Sequence, residues 1–112
     1  MVKHHSNINF SIGLDENKVP ETIEWSAEDG GMKHAPAKAL LLSVWDKKNG
    51  DTLKIDLWTK DLLADEMKRF VHQTLLSMAD TLERATNETQ AAEDMRNFGK
   101  ELGIKLDLFD KK

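Results

Sequence analysis

Two β-rich apolar runs flank the dipeptide Asn49-Gly50, and this is the most informative hydrophobic pattern in the chain. Asn-Gly between such runs is the strongest short-range signal for a β-hairpin. A two-residue turn at this dipeptide fixes the register, which places Val44 opposite Ile55 and Leu42 opposite Leu57. We expect these four side chains to lie on the core face of the hairpin.

The second face of the same hairpin is half apolar, although a solvated sheet face is usually polar. The predicted register pairs Leu41 with Trp58 and places Trp45 and Asp56 on the same face. Tryptophan beside charged residues is typical of interface anchors. These four residues are therefore the candidate partner-binding site. The alternative is that the C-terminal segment or the loop before Pro36 covers them, and the sequence does not decide between the two.

An earlier segment, Asn7–Leu14, alternates between polar and apolar residues, as a half-buried strand does. Turn residues and a second β-rich run follow it. A four-residue loop between these strands would pair Phe10 with Ile23 and Ile8 with Trp25, so that apolar partners share one face. This pattern predicts a first hairpin near the N-terminus.

The segment between the two hairpins is harder to interpret. Ala27–Pro36 contains two adjacent glycines and a proline, and we expect it to be a connection. Ala37–Asp46 fits two structures. The Asn-Gly register favours a strand, whereas apolar spacing with proline at the first position and Gly50 as a stop fits a helix.

From Ala64 onwards the apolar period changes to three or four residues, which predicts an amphipathic helix of about twenty residues. Asn87-Glu88-Thr89-Gln90 resembles an N-cap with a capping box, so a second helix is expected to follow and to end near Gly103. Alternation in Ile104–Leu108 predicts a short final strand. The apolar positions of the two helices are Met67, Val71, Thr74, Met78, Leu82 and Ala85, and then Ala91, Met95, Phe98 and Leu102.

Together these patterns predict an α+β fold, in which an antiparallel sheet of about four strands (two hairpins) is followed by two helices packed on one face. A chain of 112 residues is expected to form a single domain, residues 1–112. The core is expected to bring together Ile8, Phe10, Ile23, Leu42, Val44, Ile55 and Leu57 from the strands with Met67, Val71, Leu75 and Met78 from the first helix.

Composition excludes several classes of function. With 16 basic and 20 acidic side chains the net charge is −4, so the chain has no general attraction to nucleic acid or to anionic membranes. There is no cysteine for disulfides or thiolate chemistry, which fits a reducing compartment. Neither a signal peptide nor a membrane-spanning apolar run is visible. We therefore expect a cytoplasmic protein without membrane insertion.

No catalytic or metal-binding motif is found. The four histidines, His4, His5, His34 and His72, do not have the spacing of metal ligands, and we expect them to be solvated surface side chains. Carboxylates are abundant, but none is paired for acid–base catalysis. The sequence therefore predicts a protein that is not an enzyme and that has no cofactor.

Several distinctive segments follow one another along the chain: Trp25–Gly31, Leu42–Asp46, Ile55–Lys60 and Asp65–Lys68, continued by Phe70–Leu75 and Arg84–Thr86. This series resembles the gliding-motility protein GldC family of the Bacteroidota. The resemblance implies a small soluble protein with an accessory role in gliding motility, which is closely tied to type IX secretion. It implies no chemical activity and supplies no catalytic or ligand-binding residue.

Two functions of different classes follow. The first is a non-enzymatic accessory protein that binds a protein of the gliding or secretion machinery through the face of the second hairpin. The second is a small-molecule-binding domain with a cleft between sheet and helices, which Met67, Met78 and Met95 would line, although core packing is the commoner role of such a stripe. The sequence indicates neither the partner nor the oligomeric state.

Overall fold

The computed structural model describes residues 1–109. In this part of the chain, five strands precede two helices: β1 (Ile8–Leu14), β2 (Pro20–Ala27), β3 (Met32–Ala37), β4 (Ala39–Asp46), β5 (Asp51–Trp58), α1 (Ala64–Thr86) and α2 (Thr89–Lys105). The strands form a three-stranded sheet of order β1-β2-β3 and a two-stranded sheet of β4 and β5. All neighbours are antiparallel. The predicted α+β class is thus confirmed.

The chain consists of two compact units, Met1–Leu62 and Leu63–Lys112. The first unit contains all five strands and the second contains both helices. The single domain over residues 1–112 and the packing of the helices on one face of the sheet stay predictions.

Strand β3 lies in the segment Ala27–Pro36 that was expected to be a connection, so that prediction is wrong for its second half. Gly31, with φ +71°, precedes the strand in the turn after β2, and Trp25 then pairs with Ala35. Short side chains and Pro36 conceal the alternation from which a strand is normally recognised. Proline is tolerated here because β3 is an edge strand of its sheet.

The hairpin of β4 and β5 confirms the strand interpretation of Ala37–Asp46 and excludes the helical one, except that Ala37 ends β3 and β4 begins at Ala39. The predicted register is wrong by two residues, because Val44 lies opposite Leu53 and Leu42 lies opposite Ile55. A shift of two residues preserves the face of every side chain, since side chains alternate with period two. The predicted division of the hairpin into two faces therefore holds.

The register differs because the turn has four residues rather than two. Asp46 pairs with Asp51, and the residues between them form the loop. The side-chain carboxylate of Asp46 accepts the backbone N–H of Asn49 at 2.8 Å. The backbone carbonyl oxygen of Asp46 accepts the N–H of Gly50 at 3.0 Å. Gly50 takes the left-handed conformation, with φ +61°, that glycine adopts without steric cost.

The first hairpin is also displaced by two residues from its predicted register. Phe10 pairs with Trp25, and Ile12 with Ile23, whereas Phe10 was predicted to face Ile23. The pairing becomes irregular near the loop, at Gly13/Leu14. Ile23 is only 2% exposed, so it lies at the centre of the apolar face of this sheet.

Helix α1 confirms the long amphipathic helix predicted from Ala64. At its start the Glu66 carboxylate accepts the N–H of Leu63 at 2.9 Å. At its end Asn87 adopts a left-handed conformation, with φ +61°, and donates its N–H to the Glu83 carbonyl oxygen at 2.9 Å. Asn87 therefore ends the first helix, and its predicted role as the N-cap of the second is wrong. Asparagine tolerates this conformation better than most residues.

The predicted final strand over Ile104–Leu108 is also wrong, because α2 continues to Lys105. The helix ends in a Schellman motif, with Asp107 in the left-handed conformation at φ +57°. The N–H of Leu108 donates to the carbonyl oxygen of Gly103 at 2.9 Å, and the N–H of Asp107 to that of Ile104 at 3.0 Å.

The two helices approach each other closely because small residues line the contact. Ala79 of α1 and Ala92, Gly99 and Gly103 of α2 are all buried. A Cβ atom on Gly99 would lie only 2.7 Å from Cδ2 of Leu76. The helical pair thus depends on glycine where the helices are closest.

Candidate protein-binding face of the second hairpin

The four sequence-predicted site residues lie on one face of the hairpin of β4 and β5. Leu41 is opposite Asp56, Trp45 is opposite Thr52, and Trp58 lies across from the first residue of β4. We call this surface the tryptophan face and define it by Leu41, Ser43, Trp45, Lys54, Asp56 and Trp58. Side-chain alternation along two paired strands brings these residues together, as the sequence predicted.

The two tryptophans lie at opposite ends of this face. Trp45 is 69% exposed and Trp58 is 52% exposed, whereas Leu41 between them is half-buried. Their cross-strand pairs are separated by roughly 20 Å along the strands, at about 3.3 Å per residue. The two-residue change in register lengthens this separation by about 7 Å, since the predicted pairing set Trp58 beside Leu41. The face therefore has two separate aromatic groups rather than one aromatic cluster.

An ion pair lies between the two tryptophans. The Nζ atom of Lys54 is 3.8 Å from Oδ2 of Asp56, and both side chains are more than half exposed. A surface ion pair of this kind adds little stability, because water and salt screen it. Both charged groups are accessible to a partner that carries complementary charges.

Each tryptophan has a distinct structural surrounding. Cζ2 of Trp45 lies 3.9 Å from where a Cβ on Gly50 would be, so its ring extends toward the turn. Trp58 precedes Thr59, which is 2% exposed and donates its N–H to the Lys38 carbonyl oxygen at 2.9 Å. The backbone beside Trp58 is therefore held in place, even though its side chain is exposed.

The Thr59 hydroxyl also helps to hold the backbone beside Trp58 in place. It donates a hydrogen bond of 2.5 Å to the Asp61 carboxylate, which holds the pKa of Asp61 below its ordinary value. The hydroxyl oxygen also lies 3.3 Å from the Lys38 carbonyl oxygen. The end of β5 is thus joined to the connection between β3 and β4.

A second link ties the end of β5 to the loop of the first hairpin. The ammonium of Lys60 lies 2.5 Å from Oδ2 of Asp15, whose side chain is only 14% exposed. Oδ1 of the same carboxylate accepts the N–H groups of Asn17 at 2.8 Å and Val19 at 3.0 Å. The Lys60 ammonium, and to a smaller extent the Val19 N–H, hold the pKa of the Asp15 carboxyl below its ordinary value. No pattern in the sequence indicates this pair, because the two residues are far apart along the chain.

The opposite face of the hairpin is also apolar and partly exposed. Val44 is 49% exposed, Leu53 58% and Ile55 50%. Exposure alone therefore does not distinguish the tryptophan face. What distinguishes it is the combination of large aromatic side chains with accessible charges, which is the composition of interface centres and rims.

His72 is not a solvated surface histidine, so that expectation is wrong. It is 9% exposed, and its Nε2 atom lies 2.9 Å from the carbonyl oxygen of Gly99. Its ring meets that of Phe109 edge to face, with centroids 5.9 Å apart. His72 links the two helices through this contact. Within residues 1–109 it is not part of a group of side chains that could hold a metal ion. Its position near the centre of α1, one turn before Leu76, was the available signal.

Arg96 forms a charged cluster that sequence reasoning missed. Its guanidinium donates hydrogen bonds to Asp80 at 2.8 Å and Glu83 at 2.7 Å on α1, and to Glu93 at 3.3 Å on its own helix. Asp80 and then Glu83 raise the pKa of Arg96 above its ordinary value. The cluster consists of one cation and three carboxylates at the surface of the helical pair, and it carries no catalytic arrangement.

Other candidate sites in the described part of the chain are few. Within residues 1–109, no group of three His, Cys, Asp or Glu side chains is placed to hold a metal ion. A cavity of about 250 Å³ lies in the first unit. Its lining is mostly apolar and comes from Phe10, Ile23, Trp25, Ala37, Ala39 and Leu40. Among the described residues, neither helix is long and apolar enough to cross a membrane.

Comparison with known proteins assigns the family. Residues 20–108 match the profile described as gliding motility-associated protein GldC-like. No curated protein and no solved structure matches the chain significantly. The matched range begins with β2 and ends after α2, so it includes the whole hairpin that carries the tryptophan face. The chain therefore belongs to the GldC-like family of gliding motility-associated proteins.

Proposed function

We propose that this protein is a non-enzymatic accessory component of bacterial gliding motility, and that it acts by binding another protein. The partner would be a component of the gliding or type IX secretion machinery, and the tryptophan face would bind it. Membership of the GldC-like family supports the association with gliding. The mode of action rests on the exposed tryptophans.

The observation that carries the proposal is the exposure of Trp45 and Trp58 on one face, with Lys54 and Asp56 between them. Large aromatic residues lose little conformational entropy on binding and contribute strongly at interface centres. Both indoles are more than half exposed, so burial within the fold does not explain tryptophan at these two positions. A partner with two apolar pockets and complementary charges between them fits this face best.

The proposed location is the cytoplasmic side of the machinery. The absence of cysteine from the sequence is compatible with a reducing compartment. Fractionation of a gliding cell that expresses the tagged chain tests this directly. Recovery of the protein in the periplasm or outside the cell would contradict the location without affecting the binding proposal.

The function is tested by replacing the native gene in a gliding bacterium with tagged versions of this chain. Wild-type protein is expected to support spreading of colonies and to co-purify with identified gliding or secretion components. Trp58→Ala is expected to lose both, whereas Ile55→Ala, on the opposite face of the same strand and equally exposed, is expected to retain both. Normal spreading by the Trp58→Ala strain would contradict the proposal.

Small-molecule binding is the second candidate, and the apolar cavity of the first unit is the observation that favours it. At about 250 Å³ the cavity is smaller than most ligand sites, which occupy roughly 300–1,000 Å³. Its lining also lacks the few polar side chains that usually orient a ligand. A sheet–helix cleft stays a prediction. For these reasons protein binding is the preferred proposal.

A further inference from the structure

Strand β1 has an unprotected edge. It lies at one side of the three-stranded sheet and pairs only with β2 among the strands of residues 1–109. Of the five described strands, β1 alone contains neither a charged residue nor a proline. Natural proteins usually protect sheet edges with such residues, because an open edge can pair with another chain.

The backbone geometry shows which residues of β1 face outwards. The Asn7 carbonyl oxygen accepts the N–H of Glu28 from the chain beyond β2. Residues bonded to the neighbouring strand alternate with residues whose N–H and C=O groups point away from it. Ile8, Phe10 and Ile12 therefore direct their backbone groups to the open edge.

We propose that β1 pairs antiparallel with β1 of a second copy of this chain, around a two-fold axis at Ser11. In this arrangement Phe10 pairs with the second copy's Ile12, and Ile8 with its Leu14. The two three-stranded sheets join into one of six strands. The proposal is independent of the tryptophan face, which belongs to a different hairpin.

Two properties of β1 make it complementary to itself. Its apolar residues occupy alternate positions, so the two-fold pairing continues the apolar face of each sheet across the new contact. Because the strand is uncharged, no like charges meet, whereas like charges directly opposite each other destabilise a strand pair. A closed two-fold contact also leaves no free β1 edge for further chains.

The test uses a cysteine at the two-fold axis of the full chain. In a non-hydrogen-bonded pair the two Cα atoms are about 4.5 Å apart, which lies within the range that a disulfide can span. The chain has no cysteine, so Ser11→Cys carries a single thiol. Ser11→Cys is expected to form a disulfide-linked dimer under mild oxidation. Ser43→Cys on β4 is the matched control and is expected to stay largely unlinked.

A second variant weakens the contact without a cross-link. Ser11→Lys would place two ammonium groups opposite each other across the axis, which should raise the dissociation constant of the dimer several-fold. Within one chain the new lysine lies opposite Glu24, so the fold is not opposed by charge. Sedimentation equilibrium of wild type and variant measures this change, and circular dichroism checks that the variant is folded.

Three results overturn the proposal. The first is a wild-type chain that sediments as a monomer at concentrations in the upper micromolar range, where a weak dimer would assemble. The second is a dimer that Ser11→Lys leaves unchanged. The third is equal or faster cross-linking of Ser43→Cys than of Ser11→Cys, which would indicate association through β4 instead.

Discussion

The Nε2 atom of His72 lies 2.9 Å from the carbonyl oxygen of Gly99, and this contact joins the two helices where they are packed most closely. A side chain at position 99 would collide with Leu76, so glycine permits the approach. The contact of the His72 imidazole with the backbone at position 99 therefore relies on the absence of a side chain there. A buried polar group needs such a partner, because an unpaired one costs about 1–3 kcal/mol.

His72→Ala is expected to lower the free energy of unfolding by about 1–3 kcal/mol, since it removes a buried hydrogen bond and leaves a small cavity. Denaturant unfolding measures the change. His5→Ala is the control, because His5 is an exposed histidine that precedes the first strand, and it should change stability by less than about 0.5 kcal/mol. Equal effects of the two substitutions would contradict the role assigned to His72.

Asp15 makes the stability of the protein dependent on acid. Because Lys60 lowers its pKa in the folded state, the contribution of Asp15 is fully present above the unfolded value of 3.8 and is lost as the pH falls through the lower folded value. Asp15→Asn should therefore be less stable than wild type at neutral pH, and the difference should shrink below about pH 4. Thermal melts at several pH values, with Glu16→Gln as an exposed control in the same loop, test this. A difference that does not change with pH would rule out the charge of Asp15 as its cause.

Arg96 forms ion pairs with three carboxylates at the surface of the helical pair. Arg96→Met keeps an apolar stem but leaves Asp80, Glu83 and Glu93 facing one another, so the melting temperature should fall. Added salt screens this repulsion and should recover part of the loss. Arg69→Met is the control, an exposed arginine of the same helical pair. A melting temperature of the Arg96 variant that does not rise with salt would contradict the electrostatic explanation.

The sequence predicted the faces of the strands better than their register. Val44 and Ile55 share a face as predicted but were assigned the wrong partners, because a shift of two residues leaves alternation unchanged. Their assignment to the core is wrong, since both are about half exposed. The turn was misjudged because Asn49-Gly50 is equally compatible with a two-residue turn and with the end of a four-residue loop. The capping of Asn49 by Asp46 is a contact that composition does not reveal.

The missed elements have a common physical cause. Met32–Ala37 forms a strand through pairing with β2, and no local alternation of apolar residues announces it. Asn87 ends one helix although its sequence context resembles the start of the next, because the left-handed conformation and the N-cap favour the same residue. In both cases the local pattern is compatible with either outcome, and for β3 the pairing with β2 decides it.

The binding role of the tryptophan face stays a prediction, but the arrangement of its residues can be compared with the sequence pattern. Alternation alone placed Leu41, Trp45, Asp56 and Trp58 on one face, and the structure agrees. The spacing of the two tryptophans depends on register and was therefore predicted too short. The buried contact of His72 could not be found in this way, because it joins residues of two different helices.

The proposed function requires that the tryptophan face binds a protein of the gliding machinery. The direct measurement is the affinity of purified wild type, Trp58→Ala and Ile55→Ala for the component that co-purifies with wild type, together with the melting temperature of each chain. We expect Trp58→Ala to weaken the free energy of binding by about 2 kcal/mol, or roughly thirtyfold in affinity, at a nearly unchanged melting temperature. We expect Ile55→Ala to bind as wild type does. Undiminished binding by a folded Trp58→Ala protein, or an equal loss in both variants, would contradict the account.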